Sequence, residues 1–252
     1  QSVNELYRYF IFNLDTPMPP GQRRRLEFET LIHNKGFPHR GADITLVRNG
    51  TFIANRRIAP HIGFDPEYMV SDRNQRRDAG LEPLPRIAKL EDSSQHQVNG
   101  MRGDSDFVGF EATVSTSADQ IAVAPGYLQK EWQKEGRRYF TYKMDAPIMN
   151  AYNILSAEYE TLEDSWQDVD LQIFYHRPHT YNLGRMMESM KDSLAYFSQA
   201  FGPYQFKQLR ILEFPGYRML AQSFPNTIAY SEDLGFLADI KDTTPIDVPY
   251  YV

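Results

Sequence analysis

Apolar and polar positions divide the chain into a strand-patterned first part and a second part that adds one long helix. Leu26, Phe28, Thr30 and Ile32 alternate with Glu27, Glu29, Leu31 and His33 after the turn segment 17–21, and this period near two predicts a strand. Asn49-Gly50 lies between the runs 44–47 and 51–53. Both residues accept a positive φ, so the pair predicts a tight hairpin. Residues 65–106 are polar and rich in Arg, Asp, Gln and Pro, with a short apolar break at 81–90; a long irregular excursion is expected there. Strand patterning resumes over 106–115, 120–124 and 137–144. In the last of these, Arg138, Phe140, Tyr142 and Met144 share one face, and Tyr139, Thr141 and Lys143 share the other. After the run 151–159, the charged segment 158–168 predicts an exposed turn and a domain boundary.

Beyond Asp168 the period changes. Val169, Leu171, Ile173 and Tyr175 predict one further strand. His176-Arg177-Pro178-His179 then leads into the clearest helix, in which Leu183, Met186, Met187, Met190, Leu194, Phe197 and Phe201 fall on one face. Asn182 is the expected N-cap, and Gly202-Pro203 ends the helix with a residue suited to left-handed backbone and one that cannot continue it. A strand over 209–214 and a loop rich in Pro and aromatics follow. The chain ends on the apolar run 248–252, and a domain finishing this way is expected to continue.

Composition narrows the function classes. The 252 residues are 41% apolar and 24% charged, enough to bury a sizeable core and incompatible with disorder. Without a cysteine there are no disulfides, thiol nucleophiles or Cys-ligated metals. No apolar run approaches the roughly eighteen residues of a membrane span. The start, Gln1 to Glu5, has neither Met nor the basic and apolar regions of a signal peptide, so a mature terminus or an excised piece is expected. The formal charge of −6 argues against nucleic-acid binding. It is uneven: residues 1–110 hold 15 basic and 14 acidic residues, and 111–252 hold 12 and 19. The arginines at 23–25 and 73–77 are interleaved with acids and are expected to form solvated surface.

Candidate chemistry is sparse. His176 and His179 form H-x-x-H, but Pro178 disfavours a helix there and no neighbouring residue completes a ligand set, so a structural role is expected. H-E-x-x-H, G-x-S-x-G and the glycine-rich phosphate loops are all absent. Glu163-Asp164 and Glu232-Asp233 are adjacent pairs that point apart and predict surface. Glu232 alone is a candidate, because it follows an uncharged aromatic loop. The Met and aromatic stripe of the helix is expected to be core.

A resemblance adds to this. Residues 137–148, Tyr175 to His179, Met190 to Leu194, Phe201 to Phe206 and above all Ala221-Gln222-Ser223-Phe224-Pro225-Asn226-Thr227-Ile228-Ala229-Tyr230-Ser231-Glu232 resemble the stretch that precedes the zinc motif in the aminopeptidase N family of zinc metallopeptidases. The similar branch is the divergent one fused to ABC-permease-like bacterial membrane proteins. Upstream segments 14–21, 49–52 and 119–126 fit it too, so the resemblance covers nearly the whole chain.

The resemblance implies an α+β, mainly β architecture: an N-terminal saddle-like β-sandwich domain over 1–165, then the first part of a thermolysin-like α/β domain over 166–252. It places Ala221, Gln222, Ser223 and Phe224 where the family's substrate-binding G-A-M-E-N strand stands, with Glu232 just beyond. Ser223 replaces the Glu that holds a substrate's free amine, and that implies loss of a charged partner. The implied function is an extracytoplasmic fragment of a membrane-tethered zinc metallopeptidase-like protein, inactive by itself. The alternative is a non-catalytic binding or assembly domain of an ABC-type transporter permease. No catalytic residue and no metal ligand is expected in this chain, and zinc is expected only in the full-length parent. Expected partners are the remainder of that parent, a peptide substrate and no nucleic acid. Self-association is expected through sheet left partly uncovered after Lys207.

Overall fold

The structure, a computed structural model, describes residues 2–4, 9–33, 45–63, 69–84, 86, 88–96, 106–241 and 246–251. The chain forms two compact units, residues 1–31 and 32–252. In the first, β1 (Ser2–Asn4) pairs antiparallel with β2 (Tyr9–Ile11). The strand expected over 26–33 is not formed. Leu26, Phe28 and Leu31 are exposed there, and among the described residues no strand pairs with the segment.

The described elements of the second unit, in order, are β3 (Thr51–Ala54), α1 (Arg73–Asp78), β4 (Phe107–Val108), β5 (Glu111–Ser117), β6 (Ile121–Val123), β7 (Tyr127–Lys134), β8 (Arg137–Lys143), β9 (Ile148–Met149), β10 (Asn153–Ala157), β11 (Tyr159–Trp166), β12 (Val169–His176), α2 (Leu183–Phe201), β13 (Gln208–Phe214), β14 (Ala221–Phe224), β15 (Thr227–Ser231) and α3 (Val248–Tyr251). The fold is therefore mainly β. Strands β3, β10 and β6 form one small sheet, β5, β8 and β7 a second, and β4 and β9 a two-stranded ribbon. Within the long excursion expected at 65–106, the described residues include α1. Its N-cap Asp72 accepts hydrogen bonds from the Asn74 and Gln75 N–H groups.

Gly50 takes the expected positive φ, 97°, and a Cβ there would strike the Pro215 ring. Among the described residues no two-stranded hairpin is formed, although the Phe52 N–H donates to the Thr45 carbonyl at 2.9 Å across the turn. Residues 45–47 are not a strand and Ile44 lies outside the described residues; β3 pairs instead with β10, antiparallel, Phe52 opposite Leu155.

The largest sheet runs β11-β12-β13-β15-β14. Its three central strands are parallel, and the two edges are antiparallel to their neighbours. Helix α2 makes the crossover that a parallel β12–β13 pair requires. It packs Leu183, Met186, Met187, Met190 and Leu194 against Val169, Leu171, Ile173, Ile211 and Tyr230 on one face of the sheet. The other face, Phe174, Leu212, Phe214 and Ala229, meets Phe52, Val123, Leu155 and Ala157 of the small sheet. With both faces covered, β13 is buried at every position but Leu209.

Expectations for segment 158–168 and for Asn182 change here. Segment 158–168 is strand β11 and the tight hairpin to β12, not a simple turn, and its acids Glu163 and Asp164 sit on a sheet edge, where charge is tolerated. After Lys207 the sheet is covered on β13 and β15 and partly uncovered on β14, where Gln222 and Ser223 are exposed; Tyr196, Phe197 and Phe201 at the end of α2 are among the exposed large apolar side chains. Asn182 does not cap α2 with its side chain, which donates instead to the carbonyls of Gly235 and Ala238 at 2.7 and 2.9 Å. The terminal run includes α3, tied to α2 by the Tyr250 hydroxyl donating to Asp192 at 2.6 Å. Among the described residues no helix is long and apolar enough to cross a membrane.

Candidate functional site

The carboxyl ends of the three parallel strands lie side by side, the place where open α/β sheets expose loop residues around a shared crevice. Each contributes a polar group there. His176 is the last residue of β12, and the following turn is closed by the His179 N–H donating to the His176 carbonyl at 2.8 Å. Glu213 is the penultimate residue of β13, and Glu232 immediately follows β15. The ligand-capable atoms of these four side chains all lie within 4.8 Å of one another.

Glu213 is the centre of the cluster. Its side chain has no solvent exposure, against 14% for His176 and 18% for His179. One carboxylate oxygen accepts from the His176 backbone N–H at 2.6 Å, and the other meets the His179 Nδ1 in a short hydrogen bond. Burial pushes the Glu213 carboxyl up to about 7, against the opposing pull of those two bonds. No Lys or Arg pairs with it among the described residues. Burial also lowers the His176 imidazole, as does the neighbouring His179. His176 Nε2 is itself buried and, among the described residues, without a hydrogen-bond partner.

The surroundings hold these groups in place. Tyr159 stacks on His176 with ring centroids 5.8 Å apart, and its hydroxyl donates to the Glu213 backbone carbonyl at 2.6 Å. Glu232 accepts from the Gly216 N–H, also at 2.6 Å. Two imidazoles and two carboxylates in this space can share protons or hold a divalent cation.

Beside the cluster runs the edge strand β14. Ala221 pairs with Tyr230, Gln222 with Ala229, Ser223 with Ile228 and Phe224 with Thr227. Gln222 and Ser223 are exposed, and Ala221 and Phe224 are half-buried. The residues flagged in sequence are thus split: 221–224 form an exposed edge, and Glu232 joins the histidines. No donor close in sequence accompanies His176 and His179; in the fold the carboxylates of Glu213 and Glu232 approach them from β13 and from the end of β15. Glu213 was missed altogether. Its one sequence signal is a carboxylate inside the apolar strand Leu209 to Phe214.

No protein-family profile matches the chain, and no curated protein matches it. Solved structures do. The M1 zinc metallopeptidase from Deinococcus radiodurans aligns at TM-score 0.42 and 19% identity, covering 51% of this chain and 31% of that one. A point mutant of that enzyme aligns at TM-score 0.43 and 18% identity, covering 52% and 32%. The chain therefore spans less than a third of the length of these structural neighbours.

Proposed function

We propose that the chain is a peptide-receiving, non-hydrolytic portion of a membrane-tethered, extracytoplasmic zinc metallopeptidase-like protein, and that an extended peptide adds to the large sheet along β14. The observation that carries this reading is that β14 ends the sheet, with no further strand beside it among the described residues. The Leu220 carbonyl accepts from the Ser231 N–H at 2.9 Å. By antiparallel alternation, Leu220, Gln222 and Phe224 turn their backbone groups toward β15, and Ala221 and Ser223 turn theirs to the open side. An incoming strand finds donors and acceptors there, as in other cases of strand addition. The membrane tether and the peptidase relationship rest on the sequence resemblance alone.

Ser223 offers no negative charge to a free amine, and H-E-x-x-H occurs nowhere in the 252 residues, so turnover by this chain alone is not expected. The same serine favours a second reading, a non-catalytic binding or assembly domain of an ABC-type permease. Fluorescence anisotropy with a labelled extended hexapeptide tests strand addition. Saturable binding is expected, weakened about tenfold by Ser223→Pro, which removes one outward N–H without breaking the β14–β15 ladder. Circular dichroism of the variant should be unchanged, and amino-acid anilides should not be hydrolysed. Absent binding, or binding indifferent to Ser223→Pro, contradicts the proposal.

A further inference from the structure

We infer that His176, His179, Glu213 and Glu232 form a divalent-metal site of the borderline class that includes zinc, built from this chain's own residues and separate from any H-E-x-x-H motif. Four observations meet at this point. The donor set is two imidazole nitrogens and two carboxylates, the mixed N/O set suited to a tetrahedral ion. The donors come from three adjacent strand ends and are up to 56 residues apart in sequence, so chain proximity does not explain their meeting. The buried Glu213 and the half-buried Glu232 meet with no pairing Lys or Arg among the described residues, and a cation would balance their charge when both are ionised. His176 Nδ1 lies 3.9 Å from Glu213 Oε1, and the other ring nitrogen, Nε2, is buried and, among the described residues, bonds nothing.

Supporting groups complete the argument. The His176 N–H and the Gly216 N–H each donate to one carboxylate, at 2.6 Å in both cases, the outer-sphere support that orients metal-bound Glu side chains. Zinc bonds of about 2.0–2.2 Å place tetrahedral ligands roughly 3.4 Å apart, so the present spread of up to 4.8 Å closes by side-chain rotation. When the ion enters, the hydrogen bond between His179 and Glu213 opens and any proton held there leaves to solvent. Two carboxylates then neutralise the dication and both imidazoles bind as neutral donors.

The experiment is equilibrium dialysis of the full chain against zinc chloride, followed by metal analysis, with cobalt(II) absorption as a second readout. One zinc per chain is expected, together with the visible bands of a tetrahedral cobalt site. Replacing His33, His39, His61 and His96 together should leave both readouts intact. His176→Ala with His179→Ala should abolish them, and Glu232→Gln should weaken binding by at least about tenfold. Glu232→Gln leaves the fully buried Glu213 in place, so it serves if the histidine variant does not fold. Zinc at well under one per chain in the wild type, zinc that disappears with the other four histidines, or affinity unchanged in Glu232→Gln would overturn the assignment.

Discussion

Arg210 and Glu213 lie on the same strand, β13, both almost without solvent contact, and the protein treats them in opposite ways. Arg210 faces the small-sheet side. Its guanidinium donates to the Ala124 carbonyl at 2.9 Å, Asn226 Oδ1 at 2.9 Å and Thr227 Oγ1 at 3.1 Å, and lies 5.7 Å from the centre of the Tyr142 ring. All of these partners are neutral. Burial pushes the group down to about 10 with no pairing carboxylate among the described residues. Glu213 faces the α2 side, and its neighbours are groups that can themselves gain or lose protons and are partly open to solvent. A buried charge ringed by fixed neutral dipoles holds two layers together. One ringed by partly accessible titratable groups retains chemistry.

The largest expected effect breaks this comparison if it fails. Arg210→Ala should cost about 3–5 kcal/mol, because it opens a cavity and strands three acceptors; Arg210→Met fills the space without a charge and should recover at least half of that. Urea midpoints measure both. Equal losses would mean that the hydrogen bonds, not the filled space, dominate at this end of the strand.

A smaller effect sharpens the comparison through the tyrosine at each end. Burial pushes the Tyr142 phenol up to about 12, with Arg210 pulling the other way. Burial also holds Tyr159 well above its usual value, and the charge of Glu213 adds to that. Each folded value lies above the unfolded one near 10. This contribution to stability is therefore fully present below about pH 10 and is lost as pH rises toward 12, by roughly 2–3 kcal/mol for Tyr142 alone. Arg210, whose folded value is lowered, works in the opposite direction over the same range. Denaturation midpoints between pH 9 and 11.5, followed with tyrosinate absorbance, should fall less steeply in Tyr142→Phe than in the wild type. Equal slopes would contradict the placement of that phenol.

Much of the fold was legible in sequence because it rests on local periodicity. The helix from Leu183 to Phe201 and the strands at 107–117, 137–143, 169–176 and 208–214 follow their hydrophobic repeats. What was not legible depended on partners. Leu26 to His33 has a strand's alternation and, among the described residues, no strand beside it, whereas Tyr159 to Trp166 carries a turn's charges and is a strand because β12 pairs with it. Phe197 and Phe201 continue the stripe of α2 past the sheet that buries its first three turns, so the period holds while the burial does not. The candidate site was hidden for the same reason. His176 and His179 were visible as a motif, but Glu213 and Glu232 reach them only because parallel pairing brings three strand ends together.

The most direct test of that convergence is X-ray absorption at the zinc edge on the zinc-loaded chain. Four nitrogen or oxygen ligands at about 2.0–2.1 Å are expected, two of them with the multiple-scattering signature of imidazole. A six-oxygen shell without imidazole, as for a hydrated ion held loosely at the surface, would contradict the account.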